Sequence, residues 1–218
     1  DGERREEALV DGLRVEFRNA VTWDDDRRAA AFITARDPWI QTFAKSVLGA
    51  VQNQEYKIPE NLSAAIGLYE ALRLYGMFYV VDPNSPYKEM SDKEDQIDSI
   101  QFPRETLGYR AGDCDDLSIL FCALLESVGV ETAFITVPGH ILPAFNTGLS
   151  SLEGGRQFLD TREIIFHDDF AWIPVEMTAL DESFFEVWAH GAKQWREHSV
   201  KEQARFYPVS KAWEEYQP

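Results

Sequence analysis

From Trp39 to Val51 the apolar residues fall at Trp39, Ile40, Phe43, Ala44, Val47, Leu48 and Val51. That three-and-four spacing predicts an amphipathic helix. Asp37-Pro38 ahead of it supplies a capping carboxylate and a proline at the first position. Leu62, Ala65, Ile66, Tyr69 and Leu72 repeat the pattern and predict a second helix from Glu60 to just before Gly76. A third stretch differs in kind. After Cys114-Asp115-Asp116 the chain is almost unbrokenly hydrophobic from Leu117 to Leu125, with Gly129 placed to end it. A helix apolar on every side belongs inside a core.

Other segments read with a period of two. Leu13, Val15 and Phe17 alternate with polar residues and predict an edge strand. Ala29–Thr34 would be its partner, across a turn at Trp23-Asp24-Asp25-Asp26-Arg27. Strands are expected at Glu131–Val137 and His140–Asn146 around the Pro138-Gly139 turn. A hairpin is expected from Arg162–His167 and Phe170–Glu176 around Asp168-Asp169. A final helix from Glu182 would turn Phe184, Phe185, Trp188, Ala192 and Trp195 inward. Residues 82–104 are polar and broken by Pro83, Pro86 and Pro103, which reads as a long ordered loop; Leu149–Gln157 reads as a flexible, glycine-containing one. Helices first, then a cysteine-bearing helix packed on an antiparallel sheet, define an α+β domain. Residues 1–35 read as an N-terminal β extension, the remnant of a preceding domain, and 36–218 as the main domain.

Composition narrows the function. With 218 residues, 44% hydrophobic, six Trp and fourteen Phe, the chain can bury a substantial core. A net charge of −17 repels nucleic acid and anionic membranes, so neither is an expected partner. No apolar run is long enough to cross a bilayer. The first residue is Asp rather than Met, from which we expect a trimmed terminus and an extracytoplasmic location. Cys114 and Cys122 lie in one predicted helix, poorly placed to bond to each other, and do not mark a compartment.

Cys114 carries the most chemistry. On the first turn of a buried helix a sulfur faces unpaired backbone N–H groups and the positive end of the dipole, which favour thiolate. Asp113 reads as the N-cap and Asp116, three residues on, as its capping-box partner. Asp113, Asp115 and Asp116 oppose the thiolate unless they turn to backbone amides, to Arg110 or to a metal. The plainer alternative is a small buried residue, and that is the reading for Cys122. His140, after the Pro-Gly turn, is placed to act as base and then acid, or else is a satisfied structural histidine. His167 at a hairpin tip reads as exposed. Glu176 closes Trp172-Ile173-Pro174-Val175-Glu176, where a buried carboxylate needs a partner such as an imidazolium N–H; Asp160 is the runner-up. For an oxyanion the Cys114 N–H is available, with Gln101 and Tyr109 as candidates for a second donor. The segments 82–104 and 147–158 are the expected cleft walls.

These residues resemble the transglutaminase-like superfamily, whose core is papain-like. The resemblance runs through Gly112-Asp113-Cys114-Asp115-Asp116-Leu117-Ser118, Leu124-Leu125-Glu126-Ser127-Val128-Gly129-Val130, Gly139-His140 and Trp172-Ile173-Pro174-Val175-Glu176-Met177-Thr178. It implies Cys114 as nucleophile, His140 as general base and acid, and Glu176 as the orienting carboxylate. Two departures stand out: Glu176 where the family commonly has Asp, and a longer stretch between His140 and the acid. Acids flanking the cysteine are similar to those of the bacterial transglutaminase-like cysteine proteinases, some of which bind calcium there. That implies Asp113 and Asp115 as possible calcium ligands, although Asp113 also fits a pure cap and no cofactor is required.

Three functions follow. The first is a thiol-dependent peptidase or amidase acting on a protein or peptide through an acyl-enzyme. The second is a transamidase, in which an amine intercepts the thioester. The third is a catalytically degenerate domain that binds a protein or peptide.

Overall fold

The computed structural model describes residues 16–51, 58–81 and 97–218. The helices are α1 (Pro38–Val51), α2 (Glu60–Tyr75), α3 (Pro103–Tyr109), α4 (Cys114–Glu126), α5 (Ser151–Gln157), α6 (Phe184–Ser199) and α7 (Val209–Ala212). The strands are β1 (Ala20–Thr22), β2 (Phe78–Tyr79), β3 (Ile97–Ser99), β4 (Ala111–Gly112), β5 (Thr132–Val137), β6 (His140–Ser150), β7 (Ile165–His167), β8 (Phe170–Pro174) and β9 (Arg205–Pro208). Five strands form one antiparallel sheet in the order β7-β8-β6-β5-β9. The architecture is therefore α+β, as expected.

Every residue from Cys114 to Leu125 is buried, because α4 lies between the helices α1 and α2 and the face of β6. Replacing Leu120 or Leu124, both without solvent exposure, by Ala should cost about 2–5 kcal/mol. The sheet is covered on both faces. Along β5, Phe134 joins the core shared with α4, whereas Ala133, Ile135 and Val137 join a second cluster with Trp172, Trp195 and Phe206. This is the two-residue alternation of a strand with no wet side. β8 pairs with β6 only from Ala144 onward, so the first residues of β6 keep an edge beside α4.

Several expectations need correction. Ala29–Thr34 is not a strand. Residues Asp26–Phe32 form a 3₁₀ helix, because the Asp25 carboxylate accepts the Arg27 N–H and a run of small alanines packs at zero exposure. Leu13 and Val15 lie outside the described residues, as do 82–96; Phe17 is exposed. The end of the supposed long loop is structured. Ile97–Ser99 pairs with Ala20–Thr22, and Pro103 opens α3 with Glu105 accepting the Phe102 N–H. The flexible loop expected at Leu149–Gln157 instead completes β6 at Ser150 and continues as α5, where Ser150 and Glu153 cap each other. Gly154 there lets the helix lie against Ala171, since a Cβ would come within 2.6 Å of its methyl group. Phe185 faces solvent rather than the core. The hairpin forms around Asp168 and Asp169, both left-handed (φ 47° and 63°), as a two-residue turn requires. Val21, Trp23, Ala29, Ala30 and Phe32 share the core of α4, so the described part of 16–35 packs onto the main domain.

Candidate active site

The end of β8 and the start of β6 bring a carboxylate to an imidazole. His140 Nε2 donates to Glu176 Oε2 at 2.8 Å, with the His140 side chain 17% and that of Glu176 7% exposed. A carboxylate has only acceptors, so Nε2 carries a proton and gives it to Glu176. Glu176 is satisfied on both oxygens. Oε1 accepts from the Thr178 N–H (3.0 Å) and hydroxyl (2.7 Å), and Oε2 also accepts from Gln194 Nε2 on α6 (2.9 Å). Burial pushes the Glu176 carboxyl upward, but the hydrogen bond and charge of His140, with the Thr178 donors, leave it below the usual range. Helix α6 reaches this corner because of Gly191. A Cβ there would lie 2.8 Å from the Pro174 carbonyl and 2.9 Å from the Val175 nitrogen.

The cysteine sits across from this pair. The Cys114 sulfur is held against the backbone N–H of Ile141, the residue after His140. The Ser118 hydroxyl, one turn further along α4, lies 2.5 Å from the Cys114 carbonyl and 3.2 Å from that of Ile141. These contacts stitch α4 to the start of β6. The sulfur does not have the depressed pKa that its place at a helix start suggests. Burial pushes it well up, Asp115, Asp113 and Glu176 push it further, and only the Ile141 N–H pulls the other way. Desolvation and the neighbouring acids outweigh a helix dipole worth about 0.3–1 kcal/mol.

The acids at the helix start are crowded. Asp113 and Asp116 cap each other as expected, though at 3.4 Å each way. Asp115 Oδ1 competes for the Asp116 N–H at 2.8 Å, while its buried Oδ2 receives no hydrogen bond. Asp115 is raised well above the usual carboxylate range by burial and by Asp113, with Asp116 and Asp98 adding to it. Oxygens of Asp113, Asp115 and Asp116 lie within 4.8 Å of one another. Carboxylates this close and this dry need a shared proton or a cation. The donor set, all oxygen with one atom unsatisfied, fits calcium, and Asp113, Asp115 and Asp116 are the residues that would hold it.

The two oxyanion candidates stand differently. Gln101 gives its backbone N–H to Asp116 Oδ1 (2.7 Å) and its side-chain amide to Oδ2 (2.6 Å), so that amide serves the acidic cluster. Tyr109 ends α3 and is 70% exposed. Of the remaining residues, Asp160 pairs with exposed Arg162 and His167 stacks on Phe206 at 4.6 Å. Cys122 sits in the core, its thiol toward the Ala133 carbonyl.

Sequence reasoning missed three residues here. Thr178, present in the Trp172–Thr178 stretch but given no role, and Gln194, which nothing in the spacing marks, are two. The third is Tyr79. β2 runs parallel to β4 with Tyr79 opposite Gly112, two residues before the cysteine. Burial, and then the charges of Cys114, Asp113 and Glu176, raise the Tyr79 phenol.

No protein-family model matches this chain, and no curated protein matches it. Among the described residues no helix is long and apolar enough to cross a membrane.

Proposed function

We propose that the protein is a thiol-dependent hydrolase with a transglutaminase-like, papain-like core, a peptidase or amidase acting on a protein or peptide. The observation that carries this reading is the Glu176–His140 pair, fixed with Nε2 bound and Nδ1 left over, beside a strand whose next N–H touches the Cys114 sulfur. His140 Nδ1 takes the thiol proton as sulfur attacks the acyl carbon and a C–S bond forms. The developing oxyanion has the Cys114 N–H as donor. The C–N bond then breaks, His140 returns the proton to the departing amine, and a thioester remains. Water, deprotonated by the same ring, displaces the sulfur as the acid product, and the proton goes back to the thiol. Because burial and the acids hold the thiol protonated in the free protein, the base is needed at the first step. Positioned general acid–base catalysis is worth about 10²–10⁴-fold. Calcium held by Asp113, Asp115 and Asp116 would supply positive charge against the carboxylates that now oppose thiolate.

The raised thiol favours a second reading, a catalytically silent domain that binds a protein or peptide. Iodoacetamide labelling across pH, with and without calcium, separates the two. The hydrolase reading expects Cys114 to label faster than Cys122 and to slow when His140 becomes Ala. Labelling indifferent to His140 would leave the binding module as the better account. Release of acid rather than an amide adduct, with a primary amine present, excludes a transamidase.

A further inference from the structure

A cavity of about 600 Å³ is lined by Leu74, Met77, Phe78, Tyr79, Thr178 and Leu180, with the charged Arg73 and Asp181. It touches the candidate site at two points. Thr178 is the residue that donates to Glu176 Oε1, and Tyr79 lies in register with Gly112, just ahead of the cysteine. One wall is apolar and unusually open: Leu74 is 89% exposed, and Phe78, Tyr79, Val80 and Val81 continue the surface. An exposed apolar strip of this kind marks a place where something binds. Two lining residues are charged, Arg73 and Asp181. Arg73 spends its guanidinium on Glu70 (2.6 Å) and on the carbonyls of Leu180 and Asp181, and Glu182 pairs with His190 (2.7 Å), so the exposed Asp181 carboxylate is the acid that faces the cavity.

We propose that this cavity is a substrate subsite of the enzyme and takes a peptide segment with a bulky apolar side chain followed, away from the scissile bond, by a Lys or Arg. The apolar residue lies along Leu74, Phe78 and Leu180, and the cation meets Asp181. This choice agrees with a whole-chain charge of −17, which draws basic peptides and repels acidic ones. The inference rests on the hydrolase reading for the word substrate; the binding preference stands on the cavity and its charges.

The test uses fluorogenic peptide amides that vary the apolar residue (Phe, Ala, Asp) and the residue beyond it (Lys, Glu). The full chain should prefer Phe to Asp by about ten-fold or more in kcat/KM, and Lys to Glu by several-fold. Phe78→Asp should erase the first preference and Asp181→Lys should reverse the second. Rates within two-fold across the panel, or preferences untouched by either variant, overturn the proposal. If no peptide is cleaved, the same peptides labelled with a fluorophore are titrated onto the Cys114→Ala protein and read by anisotropy. The same order of affinities there upholds the subsite and counts against the hydrolase instead. No order, or no binding, overturns the subsite. Iodoacetamide labelling of the unsubstituted protein, read in parallel, reports on the thiol independently of the cavity.

Discussion

The two sides of Cys114 differ in how well their charges are answered. On one side Glu176 is buried yet complete, with four donors on two oxygens, and its carboxyl lies below the usual range. On the other, Asp115 is buried and incomplete, one oxygen without a donor, and its carboxyl lies well above that range. Both are acids beside the same sulfur. Burial does not decide ionisation by itself; the number and kind of donors does. The Glu176 side has the donors a charge needs, and the Asp115 side lacks them.

The largest effect should come from cutting into the complete side. His140→Ala or Cys114→Ala should lower kcat/KM on a cleaved peptide by about 10³-fold or more, and Glu176→Gln by about 10²-fold. If Glu176→Gln cleaves as well as the unsubstituted chain, the pair is structural and the comparison loses its catalytic half. The incomplete side gives the next effect. Calcium at 100 times its Kd should stabilise the fold by about 2.7 kcal/mol, seen as a rise in Tm, and Asp115→Asn should abolish the rise. A Tm indifferent to calcium would leave the acids as a cap sharing a proton.

Smaller effects sharpen the contrast. Gln194→Ala removes one donor from an ionised carboxylate, which costs about 1.5–3 kcal/mol when fully buried and less here, where Gln194 is half-buried. We expect a several-fold fall in kcat with KM unchanged, and a larger fall for Gln194→Glu, which sets two carboxylates together. Unchanged kcat in both would make Gln194 a bystander. The smallest effect is on stability against pH. The folded Glu176 carboxyl lies below its ordinary value near 4.5, so its contribution is present above that pH and disappears as pH falls through the lowered value. Urea midpoints of the unsubstituted chain and Glu176→Gln should therefore differ at neutral pH and converge in acid.

Much of this was legible in the sequence because it is periodic. The unbroken apolar run after Cys114, the paired strands around Pro138-Gly139 and the hairpin at Asp168-Asp169 each follow from spacing and turn chemistry. What was misread is local and polar. The Ser150-to-Glu153 cap that starts α5, the Pro103 and Glu105 that start α3, and the Asp25 cap ahead of the alanines were all written in the chain, but looked like loop or strand by hydrophobicity alone. The charge state of Cys114 was legible only in part. The helix start and the opposing acids at 113 and 115 are visible in one dimension, whereas the depth of burial and the field of Glu176 depend on where two segments meet. Gln194 and Tyr79 reach the site through tertiary packing, and no spacing reveals them.

Gly191 gives the corner around Glu176 an unusual kind of rigidity. The acid's strand and the helix bearing Gln194 touch backbone to backbone, so their separation is set by atoms that every residue type shares. A designer could repaint the outer face of that helix freely, yet a single added methyl at position 191 would act as a wedge. It would prise the amide of Gln194 away from the Glu176 carboxylate. Alanine there is thus a way to detune the acid by fractions of an ångström.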